Sequence, residues 1–189
     1  RQIEQSGEMP VWSPNGEQIA FRKTAGDGEI IFVVNRDGSN SHQITPPDFP
    51  KHQSEPVWSP DGKQIALVAG VNDRSRFEPL LSIYILDLER SSVIQIPCQV
   101  LTQCREPNWS PDGRKVVFLS ERVSSSGHPT DIYLVDAADW SIPLLLQKNA
   151  DAPRWQPNGE LIAFRAERNG KKGIFLMHSN GEVLRMVWW

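Results

Sequence analysis

The residues able to do chemistry are few and scattered. Two cysteines, Cys98 and Cys104, enclose the segment Gln99-Val100-Leu101-Thr102-Gln103. That spacing is compatible with a disulfide, which would favour an oxidising compartment; the alternative is two reduced thiols in a cytosolic connection. A metal site is the weakest reading, because no second Cys or His pair stands at ligand spacing. The four histidines, His42, His52, His128 and His178, show no ligand spacing among themselves, and no local motif supplies a Ser, His and Asp set. Asn35-Arg36-Asp37-Gly38-Ser39 has a distant look of a calcium loop but lacks the spaced acids and the terminal Glu. Asn108-Trp109-Ser110 fits the glycosylation pattern, yet Pro111 follows it and it lies inside a structural motif. No catalytic residue, metal ligand or cofactor motif stands out, and a non-catalytic role is expected.

Composition narrows the class. Of the 189 residues, 39% are hydrophobic and 23% charged, which suits a folded globular chain and not a disordered one. A net charge of −3, with no run of Lys or Arg, lacks the electrostatic footprint of a nucleic-acid binder. The longest apolar runs, Ile30 to Val34 and Ile142 to Leu146, fall far short of the roughly 20 residues that span a bilayer. Residue 1 is Arg with no signal-peptide pattern behind it, so the chain is expected to be processed or excised from something longer.

The elements that position these residues emerge from self-similarity. Pro10-Val11-Trp12-Ser13-Pro14-Asn15-Gly16 recurs as Pro56-Val57-Trp58-Ser59-Pro60-Asp61-Gly62, then as Pro107-Asn108-Trp109-Ser110-Pro111-Asp112-Gly113. A fourth copy reads Pro153-Arg154-Trp155-Gln156-Pro157-Asn158-Gly159. The tryptophans lie 46, 51 and 46 residues apart. Each motif precedes a strand-like apolar stretch: Gln18 to Phe21, Gln64 to Val68, Lys115 to Leu119 and Leu161 to Phe164. A second run follows at Ile30 to Val34, Ile83 to Leu86, Ile132 to Val135 and Ile174 to Met177. Turns such as Asn35-Arg36-Asp37-Gly38 and Ser179-Asn180-Gly181 then lead to outer strands such as Gln43 to Thr45 and Val93 to Ile96.

Each unit is thus a four-stranded meander with two continuously apolar central strands, a pattern that demands cover on both faces. Radial repetition supplies that cover, so the expected fold is all-β, a β-propeller of four visible four-stranded antiparallel blades. A β-sandwich would bury one face of each sheet and would not explain the period. The blades fall at about 8–46, 54–97, 105–147 and 151–189 within a single array, with 1–5 as an extra outer strand. In the Pro-Asp-Gly step, Pro presets φ, Asp or Asn favours the turn and Gly accepts positive φ. Asp61 and Asp112 are therefore turn residues and not metal ligands, since Asn15 and Asn158 hold the matching places. The four repeated tryptophans are expected to pack between blades.

The Pro-x-Trp-Ser-Pro-Asp-Gly core with its Ile-Ala-Phe-like and Ile-Tyr-like strands resembles the TolB-like propeller repeat, a relative of the WD-repeat blades. The resemblance covers nearly the whole chain; the fourth copy departs from it at Gln156 and Asn158. It implies a periplasmic scaffold that engages other envelope proteins, and hence a periplasmic or extracellular location, with cytoplasm as the alternative. Related propellers carry lyase or hydrolase activity or accompany a peptidase domain, so the second reading is the propeller domain of a larger enzyme or sensor.

Strand order places the binding surface. With strands a to d running outward from the axis, the a–b and c–d turns share one face and are short. The b–c and d–a loops share the other and are long at Ala69 to Leu81, Glu121 to Thr130 and Cys98 to Glu106. Variable loops on a rigid scaffold are where binding resides, and Arg and aromatic groups are enriched at hot spots. The candidate binding residues are Asn72, Arg74, Arg76, Phe77, Glu78, Arg105, Arg122 and His128, facing a protein partner or small ligand; tolerated insertions without a partner are the bland alternative. Closure stays open, because Arg1 to Gln5 and Val183 to Trp189 both read as outer strands. A piece of a longer propeller, the resembled family having six blades, a four-bladed ring, and a ring completed by self-association all fit. The exposed blade faces favour a fragment or an open array that associates.

Overall fold

The computed structural model describes residues 7–71, 80–98, 102–122, 129–140 and 142–188. Two compact units divide the chain, residues 1–95 and 96–189. No helix occurs among the described residues, and hence none long and apolar enough to cross a membrane.

Each unit holds two four-stranded meanders. The first meander is β1 (Gly7–Trp12), β2 (Gln18–Ala25), β3 (Gly28–Asn35) and β4 (His42–Gln43); the second is β5 (His52–Trp58), β6 (Gln64–Val71), β7 (Leu80–Asp87) and β8 (Ser92–Gln95). The third runs β9 (Thr102–Trp109), β10 (Lys115–Arg122), β11 (Thr130–Asp136) and β12 (Leu144–Gln147). The fourth runs β13 (Ala150–Trp155), β14 (Ile162–Arg168), β15 (Lys171–Met177) and β16 (Val183–Trp188). Neighbours within every meander pair antiparallel. The segment 1–5, read above as an extra outer strand, lies outside the described residues. In the first unit one parallel step joins the meanders, where the Glu29 N–H donates to the Lys51 carbonyl at 2.8 Å. Only glycine fits beside it, because a Cβ on Gly28 would sit 2.7 Å from that carbonyl oxygen.

The repeated motif is a clasp that closes the first hairpin of each meander. In the second, the Ser59 N–H donates to the Gln64 carbonyl and the Gln64 N–H returns to Ser59 Oγ, both at 2.9 Å. Ser59 Oγ donates to Asp61 at 2.6 Å, and the same carboxylate accepts the Lys63 N–H at 3.1 Å. Ser110 and Asp112 repeat the pattern, as do Ser13 and Asn15 with an amide oxygen in place of the carboxylate. Gly16, Gly62, Gly113 and Gly159 close the turns at φ of 70°, 72°, 71° and 77°, a conformation that other residues adopt with strain. The fourth copy keeps the backbone bonds and the Asn158 contact to the Glu160 N–H, but Gln156 has no hydroxyl with which to join them.

A second regularity was invisible in the motif. The residue before each motif proline, Met9, Glu55, Glu106 or Ala152, has φ between 51° and 53°. At that point the pairing slips, between Glu8 and Val11, Ser54 and Val57, or Asp151 and Arg154, and on the β10 side of the third meander between Val117 and Leu119. Each first strand therefore carries a bulge, which re-aims the side chains preceding it.

The core lies between meanders. Trp58, only 7% exposed, packs with Ile65, Leu67, Ala69 and Leu86 of its own sheet against Ala20, Ile31 and Val33 of the first. Its indole N–H donates to the Val11 carbonyl at 3.3 Å. In the second unit Phe164, Phe175 and Met177, with Trp155 beside them, pack on Val117, Leu119, Ile132 and Leu134. Trp109 is buried edge-on to Trp140. Trp12 departs from the expected role and is 58% exposed. Central strands β10 and β11 are buried on both faces, whereas β14 and β15 alternate and are covered on one.

Two outcomes follow. Ser59→Ala strands the Gln64 N–H and should cost about 1–3 kcal/mol in urea unfolding, whereas Gln156→Ala should change stability by less than about 0.5 kcal/mol. Burial opposes ionisation of Asp61, but the Ser59 hydroxyl and the Lys63 N–H outweigh it and hold the carboxyl below its ordinary value. The Ser110 hydroxyl and the Arg114 N–H do the same for Asp112. Their contribution is present above the unfolded pKa of about 4 and is lost as pH falls through the folded values. Asp61→Asn with Asp112→Asn, which copies the Asn15 turn, should therefore reduce the loss of stability between about pH 4 and pH 2 in thermal melts.

Candidate binding face

Within each meander the a–b and c–d turns occupy one end, and the b–c and d–a connections the other. The first end is nearly uniform, fixed by the clasp and by turns such as Asn35 to Ser39, where Asp37 accepts the Ser39 N–H at 2.8 Å. The other end varies. Gly26 and Asp27 suffice between β2 and β3, and Asn169-Gly170, both at positive φ, make a two-residue hairpin turn between β14 and β15. The longer b–c connections span 72–79 and 123–129.

Of the residues anticipated for binding, Asn72, Arg74, Arg76, Phe77, Glu78 and His128 lie outside the described residues. Arg105 and Arg122 are both at the b–c end of the third meander. Arg105, on β9, pairs with Glu121 of β10 at 2.5 Å and donates to Gln103 Oε1 at 2.9 Å. Arg122, the last residue of β10, faces Asp131 of β11 at 3.5 Å. The two carboxylate side chains are about nine-tenths buried, at 10% and 8% exposure. Asp131 also accepts the Asn149 N–H at 2.9 Å, and Thr130 Oγ1 donates to the Ala150 carbonyl at 2.9 Å. These bonds tie the third meander to the start of the fourth. Buried carboxylates thus hold two partly exposed guanidinium groups in place, and a guanidinium has five N–H donors, more than these contacts use. The arrangement suits recognition of an acidic or carbonyl-rich surface.

Beside this rim lies a cleft of about 340 Å³, bordered by Thr130, Asn149, Asp151, Arg165, Glu167 and Lys172. Asp151 and Arg165 face one another across β13 and β14 with bonds of 2.6 and 2.9 Å, and the carboxylate holds the Arg165 guanidinium above its ordinary pKa. Sequence reasoning missed this pair. Its partners are 14 residues apart, and only the register set by the bulge at Ala152 brings them opposite. Glu121 and Asp131 were missed as well; a signal existed in the two carboxylates that flank the long connection after Leu119.

Cys98 and Cys104 are joined, with Cα atoms 6.2 Å apart, so the connection leaving β8 is tied to the buried face of β9. The bridge walls an apolar pocket of about 150 Å³ with Pro97, Phe118, Tyr133 and Ile142. Burial there raises the Tyr133 pKa, and Asp131 adds to it. Among the described residues the histidines do not converge on any of these places: His42 contacts the Asn40 carbonyl, His52 begins β5 and His178 follows β15. Among the described residues no three His, Cys, Asp or Glu side chains are grouped to hold a metal.

No curated protein sequence matches the chain. Solved structures do. TolB from Acinetobacter baumannii is similar over 92% of this chain and 41% of its own, with a TM-score of 0.67 and 19% identity. Dipeptidyl peptidase 4 from Porphyromonas gingivalis is similar over 99% of this chain and 33% of its own, at a TM-score of 0.73 and 14% identity. Oligogalacturonate lyase from Vibrio parahaemolyticus is similar over 94% and 51%, at 0.69 and 18%. The chain therefore spans between about a third and a half of these neighbours, and at such identities the likeness establishes the fold alone. The TolB beta propeller domain family matches twice, over residues 10–142 and 56–189, which together take in nearly all of the sequence. The chain belongs to the TolB beta propeller domain family, and its fold is a partial β-propeller of about four blades.

Proposed function

We propose that the chain is a non-catalytic binding module that engages a protein partner or small ligand through the end bearing the b–c and d–a connections. The observation that carries this reading is the pair of guanidinium groups, Arg105 and Arg122, held by the nearly buried carboxylates of Glu121 and Asp131 on the strands that flank the long b–c connection of the third meander. Fixed Arg groups lose little freedom on binding, which is what makes them effective anchors. Asn72, Arg74, Arg76, Phe77, Glu78 and His128 are proposed to complete the surface. The Cys98–Cys104 bridge supports a periplasmic or extracellular setting, where disulfides persist.

A second reading is favoured by the likeness to a peptidase and a lyase: the chain would be the propeller domain of a larger enzyme, recognising what another domain acts on. Arg74→Glu with Arg76→Glu, and separately Arg122→Glu, should each weaken capture of a partner from an envelope extract by about tenfold or more, with the thermal midpoint of Arg74→Glu/Arg76→Glu unchanged. Capture of every partner undiminished by all three charge reversals would sink the proposed surface. Turnover of an oligogalacturonate or a peptide by the isolated chain would replace the binding-module reading with an enzymatic one.

A further inference from the structure

Every described residue that lines the pocket at the Cys98–Cys104 bridge belongs to the second unit. Its floor is one face of the third meander. Phe118 and Tyr133 are partners across β10 and β11, and their rings stack with centroids 5.9 Å apart. Two residues along β10, and so on the same face, Ser120 lies between Cys104 of β9 and Asp131 of β11. The disulfide walls the pocket together with Pro97 and Pro143, whose fixed φ gives the two connecting segments a set shape.

Two polar groups in this lining are unspent. Ser120 is 4% exposed and Tyr133 5%, yet among the described residues neither hydroxyl has a hydrogen-bond partner. Buried hydroxyls ordinarily find one; these two give onto the pocket. Burial, and after it the Asp131 carboxylate, raise the Tyr133 pKa, so the phenol keeps its proton and can donate. The other lining side chains present only carbon and sulfur. A water there gains less than the about three hydrogen bonds that buried water usually makes. Ile142, also in the lining, is 89% exposed and offers apolar surface for an occupant to cover.

We propose that this pocket binds a small neutral ring compound with one oxygen acceptor, a cyclic ketone being the simplest case. The ring lies against Phe118, Tyr133 and the bridge, and the oxygen accepts from the Ser120 or Tyr133 hydroxyl. Size selects the ring, because a cavity of about 150 Å³ is what a single six-membered ring fills. The two hydroxyl donors select the acceptor. An apolar wall opposes any charged ligand, and Asp131, opposite Ser120 and with its side chain 8% exposed, adds to this for an anion. No pocket residue belongs to the proposed partner-binding surface, so the two readings stand or fall separately.

Titration of the oxidised 189-residue chain with cyclohexanone, followed by amide NMR shifts, tests it. Saturable shifts at Phe118, Ser120 and Tyr133 are expected, with a Kd of about 1 mM. Ser120→Ala with Tyr133→Phe removes both oxygens, keeps the rings, and should weaken binding at least about fivefold. Should that double variant unfold, Tyr133→Phe alone replaces it, with at least about a twofold loss. Ile142→Ala, at a residue too exposed to matter for folding, should weaken binding about threefold with the thermal midpoint unchanged. Benzoate, a ring of the same size bearing a charge, should bind at least about tenfold more weakly than cyclohexanone. The absence of saturable shifts up to about 20 mM cyclohexanone, binding untouched by the hydroxyl or Ile142 substitutions, or benzoate binding as tightly would each overturn the proposal.

Discussion

The indole of Trp58 stands between two four-stranded sheets, with its ring among Ala20, Ile31 and Val33 and its N–H on the Val11 carbonyl at 3.3 Å. A sheet with apolar central strands on both faces cannot rest in water, and this ring is how one meander seals the next. The motif around it serves that placement. The Ser-Pro-Asp-Gly clasp ends the first strand at a fixed residue, and the left-handed residue three positions before the tryptophan bends the strand toward its neighbour. Burial of the aromatic ring supplies the stabilising free energy, while the clasp and the bulge decide where the ring lies.

The same devices shape the functional end. By shifting register, the bulge puts Asp151 opposite Arg165 and Glu8 opposite Arg22. In the third meander the matching first-strand position is Arg105, and its carboxylate partner is Glu121, farther along β10. The charge order is thereby inverted in one sheet, and two ion-paired arginines, Arg105 and Arg122, stand at its b–c end. The rigid end, fixed by hydrogen bonds to backbone, carries no such variation. The division of labour between a fixed end and a variable end is what a repeat scaffold offers for binding.

Much of the fold was legible because the motif states its own mechanics. Pro, Asp or Asn, and Gly in succession specify a turn, and apolar runs on either side specify the strands that it joins. The outer strands were less legible: Gln43 to Thr45 was expected where pairing covers only His42–Gln43, because short edge segments owe their extent to neighbours and not to propensity. The bulge was illegible, since nothing in Met9, Glu55, Glu106 or Ala152 favours positive φ; the repeated proline after each was the only trace. Trp12 shows the opposite limit. Its motif equals that of Trp58, yet its exposure depends on whether another sheet stands against it. At the candidate face, Arg105 and Arg122 were readable as loop-flanking cations, but their anchoring by Glu121 and Asp131 is a matter of register and depth that spacing alone does not carry.

The central claim, that the motif tryptophan seals one meander against the next, is tested most directly by hydrogen exchange at the Trp58 indole N–H. The account predicts that this proton exchanges only with opening of the whole first unit, with the same opening free energy as the slowest backbone amides of β6. Exchange of the Trp58 indole at the rate of a free indole, while the β6 amides stay protected, would contradict it.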